Sequence, residues 1–72
     1  MSLPVISSRQ CIDALAKIGF YQARQKGSHI ILRRDDPGTT VVVPERREIP
    51  KGTLRNIIRQ AGLTVDEFIK LL

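Results

Sequence analysis

Between Phe20 and Val43 the chain offers three short strand-like runs with almost nothing between them. Phe20 to Gln25 is followed by Lys26-Gly27, a tight turn, and Ser28 to Arg34 by Asp35-Asp36-Pro37-Gly38, the composition of a β-turn. Thr39 to Val43 is β-branched throughout and is stopped by Pro44. Strands joined by such short connections can pair only as an antiparallel meander, because a parallel crossover needs a dozen or more residues. In the middle run, Ile30, Leu32 and Arg34 alternate with His29, Ile31 and Arg33. Ile30 and Leu32 are the natural core pair, which puts His29 and Arg33 on the face away from the core.

A meander with one apolar face must be covered, and the flanking sequence supplies the cover. Ile6 to Gly19 reads as a helix. Ser7-Ser8-Arg9-Gln10 fits a capping box, with Ile6 and Cys11 spaced as a hydrophobic staple. Ile12, Leu15, Ala16 and Gly19 form its apolar stripe, and Gly19 is placed to end it in a left-handed conformation. After a charged connector, Glu45 to Ile49, Pro50 takes the first position of a second helix. Leu54, Ile57, Ile58 and Ala61 make that helix's buried stripe, Arg55 and Arg59 lie on its wet side, and Gly62 stops it. Thr64 to Glu67 is another capping box, opening a short last helix with Phe68, Leu71 and Leu72 apolar. The expected fold is α+β: an α-β-β-β-α two-layer domain over residues 1–72, a three-stranded antiparallel sheet covered on one face by two helices, plus a short C-terminal helix.

Seventy-two residues bury a modest core, so a large cofactor is excluded and function belongs on an open surface. No apolar run approaches the roughly 20 residues of a membrane span, and the N-terminus lacks signal-peptide character. The lone Cys11 forms no internal disulfide and suits a reducing cytoplasm. The net charge of +5 lies wholly between Arg24 and Arg59, where nine basic residues face four acids. That is the footprint of a nucleic-acid or acidic-protein binder, and equally of a solvated basic face. His29 is the only histidine. Without a second histidine, and with Cys11 in another element, ligands for a metal do not converge.

Several short strings, in one order, resemble the HicA-like (YcfA-like) toxins of bacterial and archaeal toxin–antitoxin pairs: Gly19-Phe20, Gly27-Ser28-His29, Val43-Pro44, Gly52-Thr53-Leu54-Arg55, Ala61-Gly62-Leu63 and Glu67-Phe68. The resemblance implies a fold like the double-stranded-RNA-binding domain. It also implies a cofactor-free ribonuclease that cleaves mRNA, with His29 as catalytic residue and a HicB-like antitoxin as partner. Many members carry a second histidine two residues after the proline; here that position is Arg46. The loop before the second helix is also shorter than in many relatives.

Metal-free RNA cleavage needs a base for the ribose 2′-hydroxyl, a proton source for the leaving 5′-oxygen and positive charge on the phosphate. His29 is the base to expect. Arg33 and Lys26 are candidates for steadying the phosphate, Gly27 for shaping the turn, and Ser28 for a hydrogen bond to backbone or phosphate. Arg55 and Arg59 are candidates for backbone contacts from the second helix. The acid stays open among Tyr21, Lys26, Glu45 and water. Two other readings remain: a non-catalytic double-stranded-RNA-binding module, and a helix-turn-helix DNA-binding regulator formed by the last two helices.

Overall fold

In the computed structural model, which describes residues 2–72, the order is α1 (Ser8–Ala16), β1 (Tyr21–Lys26), β2 (His29–Asp35), β3 (Gly38–Pro44), α2 (Lys51–Gln60) and α3 (Val65–Ile69). The three strands form one antiparallel sheet in the order β1-β2-β3. This is the α+β architecture expected from the turn spacing. Both connections within the sheet are two-residue turns, closed by the pairs Lys26–His29 and Asp35–Gly38.

The helices begin and end where local chemistry satisfies their free backbone groups. Ser7 caps α1, its hydroxyl accepting from the Gln10 amide while the Gln10 side chain accepts from the Ser7 amide. Thr64 and Glu67 repeat the arrangement at α3. At the other end of α1, Gly19 N–H bonds the Ala16 carbonyl and Phe20 N–H reaches back to Leu15, with Gly19 at φ +97°. This nested pair is a Schellman stop, and only glycine takes that φ without strain. Gly62 and Leu63 close α2 with the same two bonds.

Two helix details depart from expectation. Pro50 stands at the N-cap of α2 rather than at its first helical position, its carbonyl receiving the Leu54 N–H as the first intrahelical bond. Its fixed φ of −55° suits the helix, but ψ of 141° keeps it extended. In α1 the buried line is Ser8, Cys11, Ala14 and Leu15, with Ile12 half-buried and Ala16 and Gly19 exposed. The stripe is rotated because Ser8 is tied to the loop before α2. Its N–H and hydroxyl both donate to the Arg46 carbonyl, and the hydroxyl accepts from the Arg46 N–H. That anchor turns the Ser8–Cys11–Leu15 line toward the sheet.

The core lies between the helices and one sheet face, from Leu3, Ile6, Leu15 and Phe20 through Ile30, Leu32, Val41 and Val43 to Leu54, Ile57, Ile58 and Phe68. Leu71 packs partly against it, whereas Leu72 is exposed; both lie past the end of α3 at Ile69. Arg34 shares the covered face as the alternation requires. Its stem lies beside Gly19 and its guanidinium sits over the Phe20 ring, 4.7 Å from the centroid, so the charge reaches water across an aromatic face.

Candidate functional site

His29 opens β2 on the uncovered face of the sheet and is exposed. Its neighbours follow from strand pairing. Across β1 it faces Lys26, and across β3 it faces Pro44. Directly opposed residues hold their Cβ atoms about 5 Å apart, so imidazole and ammonium share one rung of the ladder. The intervening turn is Gly27-Ser28. Gly27 has φ +60° while Ser28, like every other non-glycine among the described residues, has no positive φ, the pattern of a type II′ hairpin turn. A Cβ at Gly27 would meet nothing within 4 Å, so backbone conformation rather than space calls for glycine. The Gln25 side-chain amide donates to the Gly27 carbonyl at 3.0 Å, and the Ser28 carbonyl accepts from the Glu45 N–H at 2.7 Å. The turn is thus held from both sides, which fixes the backbone that presents His29.

Of the anticipated site residues, Lys26, Gly27, Ser28 and His29 come together at this hairpin. Arg33 shares the open face with His29 but stands four residues further along β2, roughly 13 Å away. Arg55 and Arg59 are exposed on α2 and turned from the Leu54–Ile57–Ile58 stripe, in the layer on the other side of the sheet; Arg59 donates to the Asn56 side chain at 2.8 Å. Arg46 is locked through its backbone to Ser8 and exposes its side chain.

The acid candidates separate as well. Glu45 follows Pro44, the partner of His29, so its side chain points to the opposite face. It lines a groove there with Gln22, Gln25, Ile30, Ser8, Arg9 and Ile12. Tyr21 pairs with Arg33 and donates its hydroxyl to Asp35 at 2.9 Å; that bond to a carboxylate raises the phenol's pKa. Of the acid candidates, Lys26 is the one that shares a rung of the ladder with His29. Cys11 takes no part: it is buried in the core, and burial pushes its thiol up to about 12, leaving it protonated near neutral pH.

Sequence alternation alone missed one element of this face. A β-bulge between Gln22 and Arg24 shifts the register of β1. Strict alternation would put Tyr21 opposite to Arg24 and Lys26. With the extra residue all three face the open side, against Arg33, Ile31 and His29 respectively. Val42, paired with Ile31, is 40% exposed beside them. The only forewarning in the sequence is the small Ala23 in a run of long polar side chains.

Among the described residues no group of three or more His, Cys, Asp or Glu side chains gathers as a metal site, and no helix is long and apolar enough to cross a membrane. A sequence model of the family described as "HicA toxin of bacterial toxin-antitoxin" matches residues 8–63, from the first residue of α1 to just past the glycine that stops α2. No curated protein matches the chain.

Proposed function

The chain belongs to the HicA toxin family of bacterial toxin–antitoxin systems, and from that premise we propose that it is a metal-independent endoribonuclease acting on mRNA in the cytoplasm. The observation that carries the reading is the exposed His29–Lys26 rung at the hairpin on the open face.

Histidine exchanges protons near neutral pH more readily than any other side chain. In the reaction, neutral His29 removes the proton of a ribose 2′-hydroxyl and the oxygen attacks the adjacent phosphorus. The bond to the 5′-oxygen breaks, leaving a 2′,3′-cyclic phosphate and a 5′-hydroxyl. The ammonium of Lys26 offsets the charge that builds on the phosphate and supplies the leaving oxygen with its proton. Gly27 and Ser28 hold the turn that aims both groups. Arg33, too distant for the same phosphate, engages another part of the strand. Arg55 and Arg59 add salt-dependent attraction for a backbone wrapped beyond the sheet edge.

A toxin of this kind requires a cognate inhibitor. We infer a HicB-like antitoxin with an acidic surface, complementary to the +5 net charge. The helix-turn-helix alternative is disfavoured by α3, which has five residues, carries Asp66 and Glu67 in its first turn and buries Phe68.

Purified protein should cleave single-stranded RNA in the presence of a chelator. His29→Ala should lower the rate at least about a hundredfold, with an unchanged circular-dichroism spectrum. Expression of the wild type should arrest growth and the variant should not. Tight RNA binding by the wild type without cleavage would replace this reading with the non-catalytic binding module.

A further inference from the structure

The far end of the open face has a cluster that the cleavage chemistry does not use. Tyr21 is 46% exposed, yet its ring is held at both ends: the backbone is paired with Arg33 in the ladder, and the hydroxyl is bonded to Asp35 at 2.9 Å. An aromatic side chain half in water and tethered through its hydroxyl is a flat platform whose rotamer freedom has already been given up. The β-bulge is what turns it onto the face of His29. Between the two ends lie Ile31 and Val42, a partly exposed apolar floor, with Arg24 alongside.

The charges on this face suit one class of occupant. Arg24, Lys26 and Arg33 are cationic; Asp35 is the acid among the paired residues, and it is engaged by the Tyr21 hydroxyl. A polyanion with flat apolar groups along its length matches cations interleaved with an aromatic ring and aliphatic side chains. Single-stranded nucleic acid is such a polymer, and aromatic platforms on sheets take its bases by stacking. The roughly 13 Å from the His29 rung to the Arg33 rung is covered by about two nucleotides of extended single strand.

We propose that Tyr21 and Arg33 form a nucleobase-and-phosphate subsite about two nucleotides from the linkage cleaved at His29. The base stacks on the Tyr21 ring and the neighbouring phosphate meets the Arg33 guanidinium. Asp35 is a positioning residue that fixes the ring. The subsite rests on the reading of the chain as a ribonuclease. It makes the enzyme prefer a single-stranded segment long enough to reach both rungs, because a base held in a duplex has no free face to offer the ring.

The chain contains one tyrosine and no tryptophan, so its tyrosine emission comes from the proposed platform itself. A short single-stranded adenosine-rich RNA, titrated into His29→Ala protein to prevent turnover, should quench that emission saturably. The same RNA made abasic throughout should quench far less. By anisotropy of labelled RNA, Tyr21→Leu should weaken binding roughly tenfold or more, and Tyr21→Phe should restore most of it. Tight binding with unchanged emission, together with equal affinity for Tyr21→Leu, would overturn the subsite and leave the ribonuclease reading standing. Failure of the wild type both to cleave and to bind RNA would overturn that reading and the subsite with it.

Discussion

Neighbouring residues of the same strands do opposite work on the two faces of the sheet. On the covered face, Ile30, Leu32, Val41 and Val43 are buried against both helices. One residue along in each case, His29, Ile31, Arg33 and Val42 stand on a face that no helix covers. The covered face is uniform in chemistry because its task is to exclude water, and any aliphatic side chain of the right volume serves. The open face is mixed: imidazole, ammonium, guanidinium, phenol and two aliphatic side chains. Folding does not require that mixture, so its arrangement is where function is to be sought.

The contrast predicts a wide gap between adjacent substitutions. Leu32→Ala removes a side chain with no exposed surface and should cost about 2–5 kcal/mol in denaturant unfolding, most of what so short a chain has to spare. Ile31→Thr keeps the β-branch on the open side and should cost about 1 kcal/mol or less. Equal costs would mean that the open face also carries the fold, and the division of labour would fail.

A finer test uses the phenol. Its bond to Asp35 raises the Tyr21 pKa, so ultraviolet titration should show tyrosinate appearing above the pH at which free tyrosine ionises. Asp35→Asn should return the midpoint toward the ordinary value. Because the folded pKa is the higher one, the contact stabilises fully below the ordinary tyrosine pKa and is lost as pH rises through the raised one. An unshifted midpoint in the wild type would mean that the ring is not held, and the open face would then lack its one immobilised side chain.

The smallest expected effect lies away from both faces. Hydrogen bonds from Thr64 lower the pKa of Glu67 at the start of α3. The stabilisation is therefore present above the ordinary carboxylate range and fades as pH falls through the depressed value. Glu67→Gln retains an acceptor without the titration, so acid exposure should loosen α3 in the wild type before it does so in the variant, by carboxylate and amide NMR. Identical acid profiles would remove the charged cap from the account.

Much of this was legible from residue spacing. Alternation in β2 separated Ile30 and Leu32 from His29, and both capping boxes could be read from a hydroxyl residue with its glutamine or glutamate three positions on. What could not be read depends on register and on distant partners. Period-two patterning says which side chains share a face only while the ladder is regular, and one extra residue before Arg24 reassigns Tyr21. Nothing local to Ser8 announces Arg46, 38 residues away, so the rotation of α1's buried stripe is not readable from the helix alone. The same lack of register hid the Lys26–His29 rung, which becomes evident only when the hairpin closes as a two-residue turn.

The tie between Ser8 and Arg46 also has a bearing on which parts of the molecule breathe. It joins the start of α1 to the connector that follows Pro44, while Glu45 bonds Ser28 and Ile49 bonds Ile6 around it. The hairpin end is therefore cross-braced by chain segments far apart in sequence, and the bracing amides of Ser8, Glu45, Arg46 and Ile49 should exchange slowly because those segments must separate together. The short α3 is held by its own cap, the Lys17 bond to the Leu71 carbonyl and the burial of Phe68, and among the described residues no backbone bond ties it to the sheet. Fluctuations of low free energy should thus begin at the C-terminal side and leave the His29 end closed, so that partial opening and loss of the presented histidine are separate events.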